Sequence, residues 1–121
     1  MSDIEQTAMR YIAAWNENDD AQRMRLLEAC WAANGTITSN NEHIVGRDAV
    51  FAAITSFRRS RPDDRAVLTS AIDHHHHIFR FTGHVVRPDG TSYSNVLDVG
   101  EVDADGRITR IFTFHDPPPV A

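Results

Sequence analysis

The chain has one cysteine, no apolar run of membrane length and no glycine-rich phosphate loop, and each shortage removes a class of protein. Cys30 alone cannot close an internal disulfide, which fits a reducing compartment. The longest apolar runs are a few residues, against the roughly 20 that a membrane helix requires, so no membrane partner is expected. The N-terminus opens on polar and acidic residues instead of an apolar signal segment, and a cytoplasmic protein is expected. Nucleophile elbows, paired-cysteine motifs and helical zinc-protease motifs are missing too. Nucleotide cofactors and covalent catalysis therefore have no support, and no cofactor is expected. Basic charge is short as well: the formal net charge is −5, which argues against nucleic-acid binding. The one basic cluster, Arg58-Arg59-Ser60-Arg61, is followed by Asp63 and Asp64 and reads as a solvated helix end.

What is present suits one globular domain over residues 1–121, with 41% hydrophobic residues and a proline-rich tail at 116–121. Ser2 with Glu5 forms a capping box, and Ile4, Ala8, Tyr11, Ile12 and Trp15 recur at helical spacing behind it. Asp19 or Asp20 caps a second helix with the stripe Met24, Leu27, Cys30 and Trp31, which Asn34-Gly35 is expected to stop. A short strand runs from Thr36 to Ser39, then a polar loop leads to Gly46 and a third helix from Asp48 to Arg59. From Val67 the period changes to two. Strands are predicted at Val67–Ile72, His77–Arg87, Thr91–Val102 and Arg107–His115, with tight turns at Asp89-Gly90 and Asp105-Gly106. Helices on one face of such a meander make an α+β domain with a concavity between its layers.

The segments "YIAAWN", "NGTITSN", "VGRDAVFAAI" and "VLDVGEVDADGRITRIFTFHDPPP" resemble the SnoaL-like branch of the nuclear transport factor 2-like superfamily. The resemblance covers nearly the whole chain and is most specific in the last two strands and their hairpin. It implies a cone-shaped, curved antiparallel sheet wrapped by three N-terminal helices around one pocket. It often goes with a homodimer through the outer sheet face. It does not imply one activity, because isomerases, cyclases, dehydratases, epoxide hydrolases, binders and scaffolds all use this fold. Compared with ketosteroid isomerase, whose mechanism rests on tuned acidity, the resemblance puts the oxyanion-hole tyrosine at Tyr11. The oxyanion-hole aspartate falls at Asp98. The general base falls on Ser39, which cannot act alone near neutral pH. Compared with limonene-type epoxide hydrolases, Val96 and Thr113 stand where an arginine and an acid are needed, and Asp98 alone matches.

Alternation sorts the sheet faces. With Asp98 inward, Ser94, Val96, Gly100 and Val102 share its face. By the same resemblance Ile111, Thr113 and His115 point inward on the last strand, as do His77, Phe79, Phe81, Gly83 and Val85 on the long one. Phe112 and Phe114 then point outward with Tyr93, Asn95 and Leu97, and a partner subunit is the usual cover for such a face. The candidate catalytic residues are Asp98, His115 and Tyr11. The candidate ligand contacts are Trp15, Ser39, His77, Phe79, Phe81, Val96, Ile111 and Thr113. Asp98 in an apolar pocket should titrate high, or it merely anchors the floor. A His115–Asp98 pair would be a general acid/base, and a rim position is the plainer reading of His115.

The run His74–His77 suggests metal, but neighbours in a strand face opposite ways and zinc wants three or four ligands, so no metal site is expected. His43 lies in the polar loop and either touches ligand or is solvated. The expected function is binding, and transforming, a small apolar organic molecule. Isomerisation, cyclisation or dehydration through an enol(ate) would suit the pocket. The alternative is a non-catalytic ligand-binding or dimer-scaffold domain.

Overall fold

A computed structural model describes residues 2–120. Ser2 opens the fold as expected: its Oγ accepts from the Glu5 amide and caps α1 (Asp3–Asn16). Asp19 does the same for α2 (Asp20–Cys30) through the Gln22 amide. Strand β1 (Trp31–Thr38) follows without a loop, then β2 (His43–Val45), α3 (Arg47–Ser60), β3 (Arg65–Leu68), β4 (Asp73–His75), β5 (Ile78–Val86), β6 (Ser92–Val102) and β7 (Ile108–His115). The strands form one sheet in the order β2-β1-β7-β6-β5-β3, and β4 pairs with the free N-terminal half of β5.

The meander β5-β6-β7 is antiparallel as read from the alternation, but β1 joins β7 in parallel, so the whole sheet is mixed. Curvature comes from register slips. One lies between Gly83 and Val85 of β5 and their β6 partners, where Ser94 takes the left-handed conformation (φ 58°). Such bulges bend a strand and increase its twist.

Several expectations need correction. Trp31 is the first residue of β1, not the last of a helix: its helical spacing from Leu27 coincides with the inward face of the new strand. Gly35 accordingly does not stop a helix. A Cβ there would lie 2.6 Å from the Trp31 indole nitrogen and 2.8 Å from the Ile108 carbonyl, so the strand admits no side chain at this crossing. Asp73 and His74 form strand rather than turn, because the turn falls at His76-His77, where His76 has φ 51°.

The basic cluster is not uniformly solvated either. Arg58 is only 2% exposed. Its guanidinium donates to Asn18 Oδ1 (2.8 Å) and to the carbonyls of Asp64 (2.7 Å) and Pro62 (2.6 Å). Arg23 is buried likewise, bonding Thr55, Asp20 and the carbonyls of Glu17 and Asn18. These two side chains tie the α1–α2 connection to α3, because a buried guanidinium is tolerated only when its donors are used.

The core gathers Tyr11, Leu27, Cys30, Trp31, Ile54, Phe79, Ile108 and Ile111 between helices and sheet. Asn16, the last residue of α1, holds the outer edge by taking both backbone groups of Ala66: its Nδ2 donates at 2.8 Å and its Oδ1 accepts at 2.7 Å. Among the described residues no helix is long and apolar enough to cross a membrane.

Candidate functional site

Between α1 and the concave face of the sheet lies a cavity of about 190 Å³, lined mainly by apolar groups. α1 supplies Tyr11 and Trp15, one turn apart and therefore on one face. Tyr11 stacks on Trp31, with ring centres 5.3 Å apart, and meets Trp15 edge-on at 6.5 Å. Opposite them, register places Asp98 of β6 between Phe81 of β5 and Thr113 of β7. All three face the cavity, as the resemblance implied.

Asp98 is 6% exposed and accepts a 2.5 Å hydrogen bond from the Thr113 hydroxyl at Oδ1. Burial pushes its carboxyl from the ordinary 3.8 up to about 6, while the Thr113 hydrogen bond and the positive charge of His115 pull the other way. The Tyr11 phenol is raised well above its usual value, first by burial and then by the Asp98 charge, with the Trp15 hydrogen bond opposing. Burial thus favours the neutral, proton-donating form of both groups. Two such donors converging on an apolar space can hold a developing oxyanion.

His115 faces the same cavity from the exposed end of β7, two residues beyond Thr113. Among the described residues no hydrogen bond joins it to Asp98; it acts on that carboxyl through charge alone. Ser39 lines the cavity too, with its hydroxyl given to the backbone, accepting from the amides of Asn41 (3.3 Å) and Glu42 (3.2 Å). Val96 completes the set of expected lining residues that the structure brings together: Tyr11, Trp15, Ser39, Phe81, Val96, Asp98, Thr113 and His115.

Three expected contacts lie elsewhere. Phe79 and Ile111 are packed into the core beneath the cavity, because Gly100 lets the Phe79 ring sit where a Cβ would be 2.2 Å away. His77 is exposed in the β4–β5 turn. His43 bonds Thr38 Oγ1 at 2.8 Å on the edge strand β2 and does not line the cavity. In the histidine run, His74 contacts Glu5 and Ser2, each at 3.2 Å, and so ties β4 to the start of α1. His75 and His76, expected on opposite sides, meet with their Nδ1 atoms 3.0 Å apart because of the left-handed His76. Among the described residues no three His, Cys, Asp or Glu side chains cluster as a metal site would.

Sequence reading missed two titratable residues at this cavity, Glu42 and His84. Glu42 lies in the turn between β1 and β2, where no periodicity operates. His84 follows Gly83 next to the register slip, where inside and outside cease to alternate cleanly.

The same arrangement of helices and curved sheet occurs in solved structures. A provisionally named isomerase of the SnoaL-like family from Agrobacterium tumefaciens superposes with a TM-score of 0.87 at 31% identity, covering 97% of this chain and 100% of that one. An NTF2-like protein of unknown function from Cytophaga hutchinsonii gives 0.72 at 12% identity, over 94% and 90% of the two chains. A protein of unknown function with a cystatin-like fold from Methylobium petroleophilum gives 0.77 at 15%, over 98% and 78%. Those two share the fold alone. No curated protein matches the sequence. The SnoaL-like domain pattern matches residues 8–111, from the helix that carries Tyr11 to the last strand, so the chain belongs to the SnoaL-like family.

Proposed function

We propose that this protein binds a small, largely apolar organic molecule and rearranges it without a cofactor, by isomerisation, cyclisation or dehydration through an enol(ate). The observation that supports this most is the pairing of Asp98 with Tyr11, two buried acids whose neutral forms are favoured, across one apolar cavity. In this reading both donate to the oxygen on which charge develops, and His115 at the open end exchanges protons with solvent. The Agrobacterium relative's isomerase name points the same way. A cytoplasmic setting suits the single buried thiol of Cys30. A non-catalytic binder or scaffold is the second reading, favoured by the engagement of the Ser39 hydroxyl in its own turn.

The test starts with binding. A bicyclic phenol, 2-naphthol, and a bicyclic ketone, 2-tetralone, should raise the melting temperature, since ligands of the native state stabilise it. The rise should be larger near pH 5.5 than near pH 8. An apolar ligand displaces water from Asp98 and so favours its protonated form, which means binding takes up a proton. Absence of any rise across that range, for either probe, would count against a pocket function altogether.

The partner proposed alongside is a second copy of this chain. Phe114 is 62% exposed on the outer face of β7, with Phe112 partly exposed on the same side. Covering these residues would explain an apolar surface that water otherwise faces. Phe114→Glu is expected to convert a dimer into a monomer in sedimentation velocity. A wild-type chain that sediments as a monomer would end the idea.

A further inference from the structure

Asp98 is not the only carboxyl at this cavity. Five titratable side chains line it: Tyr11, Glu42, His84, Asp98 and His115. A group that removes a proton from carbon must be ionised, free of partners and held at a fixed place against the substrate. Asp98 fails the second condition, since Thr113 occupies Oδ1, and its burial pushes it toward the protonated form that donates. Tyr11 is buried as the neutral phenol.

Glu42 stands apart from these groups on two counts, a free carboxylate and an anchored backbone. Its carboxylate has no hydrogen bond or ion pair among the described residues, and the residue is exposed at the cavity mouth. Its backbone is fixed from behind. The Ser39 amide donates to the Glu42 carbonyl at 2.8 Å, and the Glu42 amide donates back to Ser39 Oγ at 3.2 Å. The turn is therefore closed by both the backbone and the side chain of Ser39. The parallel pairing of β1 with β7, with Thr38 level with Phe112, carries this turn alongside Thr113 and His115. Glu42 thus stands at the same end of the cavity as the hydroxyl that holds Asp98.

We infer that Glu42 is the general base of this site, and that Ser39 is its positioning residue. The assignment rests on the enol(ate) reading given above. Glu42 takes the proton from a carbon next to the substrate carbonyl. The C–H pair becomes the new C=C bond, and the carbonyl π pair moves onto oxygen, where Tyr11 and protonated Asp98 donate to it. Glu42, now a carboxylic acid, returns the proton at a conjugated carbon as the oxygen's pair re-forms C=O. No external oxidant, reductant or co-reactant enters, and the product is an isomer of the substrate.

Hydrogen–deuterium exchange at the carbon-bound protons of 2-tetralone, followed by proton NMR in deuterated buffer, reads the abstraction step directly. The wild-type chain is expected to accelerate this exchange above buffer. Glu42→Gln should lower the accelerated rate by about 100-fold or more, the usual contribution of a positioned base, with 2-tetralone affinity by thermal shift unchanged. Glu42→Asp should restore part of the rate. Ser39→Ala should lower the rate more than the affinity, because its hydroxyl closes the turn that carries Glu42.

If Glu42→Gln keeps the wild-type rate while His84→Ala or His115→Ala loses it, the base is that histidine. The Glu42 assignment then falls and the enol(ate) reading stands. If the wild-type chain binds 2-tetralone and exchanges nothing above buffer, the catalytic reading falls and the assignment falls with it.

Discussion

Asp98→Asn is expected to make the protein more stable near pH 7.5 and no more stable near pH 4. The sign follows from the direction of the shift. Asp98 titrates at about 6 in the folded chain against an ordinary 3.8, so between these values the native state holds a proton that the unfolded chain has released. Its contribution is fully favourable below about pH 4 and is lost as the pH rises through about 6. Above that range the wild type carries an ionised, buried carboxylate, at a cost of up to about 3 kcal/mol for a displacement of this size. Asparagine has the same shape, carries no charge and can still accept from Thr113 Oγ1. The gain should reach roughly 10 °C in melting temperature at neutral pH, at about 4 °C per kcal/mol for a domain of this length. Melting curves of both proteins from pH 4 to pH 8 check it. A difference that does not change with pH would mean that Asp98 is not the strained acid described here. A stabilised variant that has also lost the pH dependence of probe binding would identify Asp98 as a residue kept for use rather than for folding.

The second large effect concerns Trp31. Truncation to alanine should cost about 3–5 kcal/mol in urea unfolding, since the side chain is fully buried and the cavity it leaves is bordered by rigid strands. Tyr11 would lose the ring on which it stacks, so probe binding should weaken in any fraction that still folds. Trp31→Phe is the informative partner. The indole Nε1 of Trp31 is buried with no hydrogen-bond partner among the described residues, and an orphaned donor costs roughly 1–3 kcal/mol. Phenylalanine removes that donor and keeps most of the stacked surface. Its net cost should therefore be far below that of alanine, within about 1.5 kcal/mol. Equal losses for the two variants would show that the nitrogen is satisfied in solution.

How far these features could be read from the sequence depended on the range of the interaction. α1 and α3 were legible because their apolar spacing and their capping or breaking residues are local. The three long strands were legible because alternation and the glycine turns at Gly90 and Gly106 are local too. That alternation grouped Val96 with Asp98, and the family resemblance added Thr113 and His115 to the same face, where the cavity was found. The parallel seam between β1 and β7 could not be read, since it joins residues about 75 apart and leaves no periodic mark. Trp31 was misplaced because one position satisfied both a helical stripe and a strand face. Arg58 and Arg23 were unreadable as buried groups, because the carbonyls that satisfy them come from segments that only the fold brings near. Glu42 and His84 escaped for the opposite reason: a turn and a register slip are the places where local rules lapse.

The seam between β1 and β7 also sets an order of events for a chain made from its N-terminus. The final strand sits between β1 and β6, and it carries Thr113 and His115. Until it has left the ribosome and docked, β1 has no neighbour on that side, and Asp98 has neither its hydroxyl partner nor a closed wall. Pairings of such wide sequence separation are slow to form and late to reward the chain. A nascent chain that has completed α1, α2 and β1 therefore exposes Trp31 and Ile37 for the time needed to synthesise some seventy further residues. The cavity is the last thing the molecule acquires.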